Sequence, residues 1–452
     1  MYVIIIGGGD VGAFVAEVLV HEKHEVVVVE PDEATAQRLQ AALDVLVIDG
    51  SGVSPGVLQR AGIDRADLVL AVTPVDEINL IACMIAKKHG SATLRTVAQV
   101  KQSHYLGGEA ISADDLDAVD ALVHSERAIA TIALDMLRFA GSGELRELAG
   151  GQLALLGMVL GEESPLVADT LGAIRADLPK DSIVIAVQGA SGVRIPTDAD
   201  RLGVDERAYI LTLPKHLTEL TILSGQPWYR VERVLLIGLG NTGFTLASDL
   251  EARGFRPTLV ERDLDRAEWV ASRLPKSTVL HGDASDPDFL RRTIEDQHTD
   301  AVVVLLRDPE RSLLLGLFAK SLGAKKVIVR CDKPEYAHLA YKLGVDAIIS
   351  KKRAVANAVL RYVSRGSVES TLMLGDEDDA ELVDFRISES PRASVTSRPL
   401  GELDFPPDSL VGAIVRKGNA FIATAASVLA PGDELVVVCK PEAIAQIEAL
   451  LG

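Results

Sequence analysis

The run Val3-Ile4-Ile5-Ile6-Gly7-Gly8-Gly9-Asp10-Val11-Gly12 constrains this chain more than any other stretch, because the chain writes it twice. The second version is Val234-Leu235-Leu236-Ile237-Gly238-Leu239-Gly240-Asn241-Thr242-Gly243. In each, a short apolar stretch of strand-forming residues breaks at once into glycines in the order GxGxxG. That order has a mechanical meaning. The first glycine permits a tight turn, the second lets backbone N–H groups approach a pyrophosphate, and the third lets the following helix pack closely on the sheet. The phosphate then rests on a helix N-terminus. Gly7, Gly9, Asp10, Val11 and Gly12 are therefore candidate nucleotide contacts, and so are Gly238, Gly240, Asn241, Thr242 and Gly243.

The helix after each loop is predicted from periodicity. Val11, Phe14, Val15, Val18 and Leu19 lie on one apolar face, and Gly243, Leu246, Ala247 and Leu250 repeat the pattern. A lone GxGxxG is weak, and the confirming context is an acid about twenty residues on, at the end of the next strand. Val26-Val27-Val28-Val29 ends in Glu30, and Thr258-Leu259-Val260 ends in Glu261; 30 − 9 and 261 − 240 both give 21. A carboxylate there accepts hydrogen bonds from a ribose 2′-OH and repels a 2′-phosphate, which favours NAD or an adenine nucleotide over NADP. In the second copy Arg262 follows the acid and weakens that discrimination.

At 452 residues with 48% hydrophobic content the chain has ample material for packed cores, about three domains by length or more if they are small. The sequence starts directly in a predicted strand, without the basic and apolar regions of a secretory signal. No apolar run approaches the roughly 18 residues of a membrane span. The three cysteines, Cys83, Cys331 and Cys439, are far apart and lack CxxC spacing. They fit a reduced cytosol and argue against a disulfide framework or a zinc site. With 46 basic against 65 acidic residues the formal charge is −19. No basic stripe is available to bind phosphates along a nucleic acid, so that partner is disfavoured. An acidic surface suits solubility, and it also suits the Lys- and Arg-rich cytoplasmic loops of a membrane protein.

Short strands alternate with helical patterns after Glu30. Residues 45–48 lead to Asp49-Gly50-Ser51-Gly52, residues 68–72 to Thr73-Pro74-Val75-Asp76-Glu77-Ile78-Asn79, and residues 96–100 to Lys101. In doubly wound sheets ligands bind beyond the carboxyl ends of the strands, where these polar groups collect. Ser51, Gly52, Thr73, Asp76, Asn79 and Lys101 join the candidate site on that ground, although turn chemistry and helix capping explain such residues equally well one at a time. A helix from Arg127 to about Phe139 carries Ile129, Ile132, Ala133, Met136 and Leu137 on one face, and Val355, Ala358, Val359, Tyr362 and Val363 repeat it. Such a stripe must be buried on its own domain or on a second subunit, and a subunit contact is the expectation.

Gly141-Ser142-Gly143 marks a linker, and a small α+β module with strands near 153–160, 183–187 and 209–213 follows. Ser224-Gly225-Gln226-Pro227 leads into the second half, where the order repeats. Residues 278–280 lead to Gly282-Asp283-Ala284-Ser285, residues 301–306 to Arg307-Asp308, and residues 327–329 to Arg330. Asp283, Ala284, Arg307 and Arg330 are the corresponding candidates. After an acidic linker at 376–381, a second small module echoes the first. Its Asp404-Phe405-Pro406-Pro407-Asp408-Ser409-Leu410-Val411 matches Asp177-Leu178-Pro179-Lys180-Asp181-Ser182-Ile183-Val184. The fold class is α/β, a tandem duplication of a Rossmann-like doubly wound parallel sheet with a small α+β module after each. The expected boundaries are residues 1–140, 141–224, 231–366 and 375–452.

A dehydrogenase of this plan would bring a general acid or base to the nicotinamide. The first small module has only His216, near its end, and the second has no histidine. His21 and His24 share a helical face without a third metal ligand, and no GK[ST] follows either glycine run. The cradles read as sensors of a nucleotide rather than consumers of it, and the chain as no enzyme.

On these residues the chain resembles, over essentially its full length, the tandem RCK (regulator of potassium conductance) proteins that serve Trk-type bacterial potassium uptake. The matching motifs are Ile5-Ile6-Gly7-Gly8-Gly9-Asp10-Val11-Gly12, Ala71-Val72-Thr73 with Asp76-Glu77-Ile78-Asn79, and Gly282-Asp283-Ala284-Ser285. The resemblance implies NAD(H) and ATP or ADP as ligands. It also implies a homo-oligomer, a dimer or tetramer closed as an RCK ring, and docking on a membrane potassium-translocating subunit of the TrkH/TrkG kind. It places the chain in the cytoplasm, peripheral to the inner face of the cell membrane. The sequence departs from that pattern at Leu306-Arg307-Asp308-Pro309, which replaces Thr73 to Asp76. A second departure is at Gln99 and Lys101, where the resemblance expects arginines; Arg330 keeps one in the second half. An NAD-dependent oxidoreductase and an RCK regulator of another cation transporter stay open as alternatives.

Overall fold

The computed structural model describes residues 1–102, 119–138, 143–189, 192–225, 231–360, 362–363, 368–374, 380–388 and 393–451. The sequence-predicted linkers at 141–142, 226–227 and 376–379 lie outside these residues.

The first sheet is built from β1 (Tyr2–Ile6), β2 (Glu25–Glu30), β3 (Leu46–Asp49), β4 (Leu68–Ala71), β5 (Arg95–Val100) and β6 (Ala121–His124). Their order is β3-β2-β1-β4-β5-β6, and every pair is parallel. Val3, Ile4, Ile5 and Ile6 are essentially inaccessible, as a strand covered on both faces must be. The helices are α1 (Asp10–His21), α2 (Glu33–Ala42), α3 (Pro55–Arg60), α4 (Asp76–His89) and α5 (Ser125–Arg138). Asp32 caps α2 by accepting the Thr35 N–H at 2.8 Å, and Pro55 opens α3. On α4, Asp76 and Glu77 in the first turn and Lys87, Lys88 and His89 in the last complement the helix dipole. Ile4, Ile6, Val69 and Ala98 pack with Leu58 of α3 and Leu80 and Cys83 of α4 in one core. Each such fully buried Leu or Ile stabilises the fold by about 1.5–3 kcal/mol relative to exposure. Successive strands are added outward on one side of β1 as far as β3 and then on its other side from β4 onward, and that switch point between β1 and β4 is where a ligand crevice opens in such sheets.

The small module is a five-stranded antiparallel sheet of β7 (Gly143–Leu148), β8 (Leu153–Val159), β9 (Ser182–Gly189), β10 (Gly192–Arg194) and β11 (Arg207–Thr212). Helices α6 (Leu171–Ile174) and α7 (Leu217–Leu223) accompany it. The second parallel sheet comprises β12 (Val234–Ile237), β13 (Thr258–Glu261), β14 (Thr278–His281), β15 (Ala301–Val304), β16 (Lys326–Arg330) and β17 (Ala347–Ile349). Its order, β14-β13-β12-β15-β16-β17, repeats the first. Its helices are α8 (Asn241–Ala252), α9 (Leu264–Ala271), α10 (Pro287–Asp296), α11 (Pro309–Ser321), α12 (Pro334–Lys342) and α13 (Lys351–Leu360). The last sheet holds β18 (Val368–Leu374), β19 (Ala380–Arg386), β20 (Ser409–Arg416), β21 (Asn419–Ile422) and β22 (Glu434–Cys439), with α14 (Ala393–Thr396) and α15 (Pro441–Leu451). Read in chain order, its strand pairing is the same as that of the first module.

The chain divides into two compact units, Met1–Ile129 with Lys351–Ser364, and Ala130–Ser350 with Arg365–Gly452. Within the first unit α13, the last helix of the second half, packs on α1. Val355, Val359 and Leu360 are buried there, the Lys352 ammonium lies 5.2 Å from the centroid of the Phe14 ring, and Lys351 reaches Glu126 at 3.4 Å. The apolar stripe of residues 355–363 was expected to meet a second subunit. The chain instead covers the α13 part of it with its own first half, because a tandem duplication carries both members of the pair. Ile129, Ala133, Met136 and Leu137 of α5 are buried as their spacing predicts, and residue 139 lies outside the described region.

Within the second unit the two small sheets share one core. Leu153, Leu155, Ile185 and Leu211 of the first meet Leu382, Ala413, Val436 and Val438 of the second. The approach is close: a Cβ on Gly412 would lie 2.9 Å from Leu211 Cδ2 and 3.1 Å from Ile185 Cγ2.

Candidate nucleotide-binding site

The two glycine loops assume the three roles their spacing assigns. Gly7 and Gly238 have φ of +103° and +95°, the left-handed region that side chains disfavour. They turn the chain off the strand while their N–H groups still donate to Val29 and Val260 at 2.9 and 3.2 Å. A Cβ on Gly12 would overlap the Gly7 carbonyl oxygen, and one on Gly243 the Gly238 carbonyl oxygen, so the third glycine lets helix and turn touch. The middle glycines differ from both. A Cβ on Gly9 or Gly240 would meet nothing within 4 Å.

Gly9 and Gly240 are the N-caps of α1 and α8, and neither helix receives a side-chain cap. The first intrahelical bonds run from Ala13 to Gly9 and from Phe244 to Gly240, at 2.8 and 2.9 Å. Helix geometry leaves the N–H groups of a first turn without an i−4 carbonyl. Asp10, Val11 and Gly12 occupy that turn in the first copy, and Asn241, Thr242 and Gly243 in the second. Backbone N–H groups, the positive end of the helix dipole and open space above a bare glycine fit a phosphate in each cradle.

The acids close the other side. Glu30, only 9% exposed, accepts the Gly8 N–H at 2.6 Å and the Asp32 N–H at 2.9 Å. Glu261 accepts those of Leu239, Arg262 and Asp263 at 3.0, 2.9 and 3.1 Å. A carboxylate offers about four lone-pair positions, so each keeps capacity for a ribose hydroxyl.

Past β4 the structure gathers Thr73, Asp76, Asn79 and Lys101, but it spends several of them on the loop itself. Asn79 is fully buried. Its Oδ1 accepts from Thr73 N and Oγ1 at 2.9 and 2.7 Å, and its Nδ2 donates to the carbonyls of Thr73 and Gln99 at 2.9 and 2.8 Å. Asp76 Oδ2 accepts the N–H groups of Lys101 and Gln102, both at 3.0 Å, and Lys101 Nζ donates to the Pro74 carbonyl. These contacts tie the end of β5 to the start of α4 and hold Thr73 against Gly7, where a Cβ would lie 3.0 Å from Thr73 Cγ2. Gly52 has a packing role too, since a Cβ there would strike Ile6; its neighbour Ser51 is exposed.

In the second half the same edge is built with charge. Asp283 Oδ1 accepts from Ser285 N at 2.8 Å and from Arg311 Nη2 at 3.0 Å, and these bonds hold its carboxyl below the usual range, the Ser285 backbone foremost. Ala284 is buried, Arg307 is exposed, and Arg330 donates to Asp332 at 3.2 Å.

The TrkA-N domain model matches residues 3–121 and again 234–351, and the TrkA-C domain model matches residues 383–452. The chain is 32% identical over 455 residues to "Trk system potassium uptake protein TrkA homolog 1" of Methanosarcina mazei, covering 99% of each. This chain belongs to the TrkA family. Among solved structures, "GsuK channel bound to NAD" is similar to it with a TM-score of 0.62 at 19% identity, over 100% of this chain and 78% of that one. "Crystal structure of the GsuK bound to ADP" is similar with a TM-score of 0.50 at 14% identity, over 80% of this chain and 69% of that one. The relatives carry a potassium-uptake name rather than an enzyme's. Among the described residues of this TrkA-family chain, no helix is long and apolar enough to cross a membrane.

Two residues at the second cradle escaped the sequence reading. Arg311, on α11, bridges Asp283 and Ser285. Arg266, on α9, donates from Nε to the Leu239 carbonyl at 2.7 Å and stacks on Trp269, 4.3 Å from the ring centroid. Nothing in their local sequence distinguishes them from solvated helix cations; only the tertiary fold brings them to the loop.

Proposed function

We propose that the chain is the nucleotide-sensing regulatory subunit of a potassium uptake transporter, reading NAD(H) and ATP/ADP through its two cradles. The observation that carries this is the bare middle glycine of each loop, Gly9 and Gly240, which leaves open space over an uncapped helix N-terminus beside a partly free carboxylate. The nucleotide contacts are then Gly7 to Gly12 with Glu30, and Gly238 to Gly243 with Glu261. Ser51, Thr73, Asp283, Arg307 and Arg330 line the mouths, and Gly52, Asp76, Asn79, Lys101 and Ala284 shape them.

Support for the partner is the family name of the relatives and the acidity of the chain, which suits basic loops on the cytoplasmic face of a potassium-translocating subunit of the TrkH/TrkG kind. The protein acts from the cytoplasm as a homo-oligomeric RCK ring, a dimer or tetramer, in four units spanning residues 1–140, 141–224, 231–366 and 375–452. A nucleotide shifts such a ring only if it binds two arrangements with different affinity. Potassium flux into vesicles that carry the membrane subunit, measured with and without this protein and each nucleotide, tests the reading. Nucleotide-dependent flux that needs the protein supports it. Flux indifferent to both sinks it.

A further inference from the structure

The ends of the second and third strands meet differently in the two halves. In the first sheet Glu30 pairs in register with Asp49, so two carboxylates stand side by side where the adenosine ribose of a bound dinucleotide lies. Pro31 follows the acid. Of the arginines near this edge, Arg60 donates to the Asp49 main-chain carbonyl at 2.6 Å, and Arg38 of α2 acts on Asp32 through its charge.

In the second sheet Glu261 pairs in register with His281. Arg262 follows the acid, exposed to solvent, and His281 Nε2 donates to its carbonyl at 3.1 Å, which brings the imidazole to the same corner. Arg266 lies close enough to Glu261 to feel its charge; its Nε donates to the Leu239 carbonyl and its Cζ lies 4.3 Å from the Trp269 ring centroid. Glu261 itself is bound by three main-chain N–H groups where Glu30 is bound by two, which spreads its charge further. A planar guanidinium both pairs with phosphate oxygens and stacks on a purine.

We infer that the second cradle admits an adenine dinucleotide with a phosphate on its 2′ oxygen, through Arg262 and Arg266, while the first excludes it through Glu30 and Asp49. This rests on the nucleotide-binding reading above. Such a difference lets the first cradle respond to the unphosphorylated dinucleotide alone while the second responds to both forms.

The test titrates NAD and NADP calorimetrically into the full chain carrying Gly9→Asp, which isolates the second cradle, or Gly240→Asp, which isolates the first, after circular dichroism confirms that each variant is folded. In the Gly9→Asp protein NADP binds within about tenfold of NAD, and in the Gly240→Asp protein it binds at least about a hundredfold more weakly. Adding Arg262→Glu to Gly9→Asp removes NADP binding and leaves NAD binding in place. Equal rejection of NADP by both cradles, or indifference to Arg262→Glu, overturns the inference while NAD binding stands. Failure of both dinucleotides at both cradles overturns the inference and the dinucleotide part of the sensor reading, leaving ATP and ADP as its only ligands.

Discussion

The carboxylate of Glu30 accepts the backbone N–H of Gly8 at 2.6 Å, a bond from the end of the second strand back into the glycine loop. Glu261 repeats it with Leu239 at 3.0 Å. The acid therefore orients the glycine loop, and in the proposed complex it also faces the ribose of the nucleotide. Glu30→Gln keeps one oxygen to accept the Gly8 N–H, but it turns an amide NH2 toward the Asp32 N–H that the second carboxylate oxygen accepts and removes the charge that strengthens a bond from ribose. The expected result is NAD binding at the first cradle weakened about tenfold, about 1.4 kcal/mol, with a melting temperature modestly lowered by the lost Asp32 bond. Calorimetry on a Gly240→Asp background reads it. Unaltered affinity would show that the acid serves the loop alone.

Gly12→Ala separates packing from binding. A Cβ there overlaps the Gly7 carbonyl oxygen, so helix and turn must move apart, at a cost of about 1–3 kcal/mol. Thermal denaturation of Gly12→Ala beside Gly9→Ala checks this. Gly12→Ala melts several degrees lower, whereas Gly9→Ala, whose Cβ meets nothing within 4 Å, melts near wild type.

How much of this was legible in the sequence depended on the range of the interaction. The glycine roles, the acids and the duplication are local patterns, so the sequence alone places Gly7 to Gly12, Glu30 and their second-half partners. Edge strands such as Ala121–His124 and Ala347–Ile349 were missed because they are short and adjoin helices. The cover over α13 was assigned to another subunit, because nothing in residues 355–363 says that α1 of the same chain awaits them. Asn79 was read as a possible ligand, yet its four hydrogen bonds are all internal, and only tertiary structure shows that.

Asn79→Ala should consequently act on the fold. It strands the Thr73 N–H and the Gln99 carbonyl in a buried site, costing about 1–3 kcal/mol, and it loosens the loop that packs on Gly7. Denaturant unfolding is expected to show the lost stability in parallel with weaker nucleotide binding at the first cradle. Lost binding at unchanged stability would assign Asn79 to direct contact.

His124 gives the fold a pH dependence. Burial pushes its pKa below the ordinary value, Arg127 adds to that, and the carboxylates of Glu126 and Asp76 pull the other way. Its Nδ1 accepts the Arg127 N–H at 3.0 Å and so caps α5; a proton there removes the cap. With the folded pKa below the unfolded one, the unfolded chain takes up the proton first as pH falls. The stabilisation is fully present above the unfolded value of about 6.5 and is lost as pH falls through the folded pKa. Melting temperatures from about pH 8 down to about pH 5 should decline less steeply in His124→Gln. An identical decline in both proteins would place the titrating group elsewhere.

Two cradles that sense nucleotides must bind them and leave them intact. The direct measurement titrates the purified full chain with NADH, NAD, ATP and ADP in turn and analyses the recovered nucleotide. Saturable binding that Gly9→Asp and Gly240→Asp together abolish is expected, with the nucleotide returned unchanged. Conversion of the cofactor, or no binding by any of the four, would contradict it.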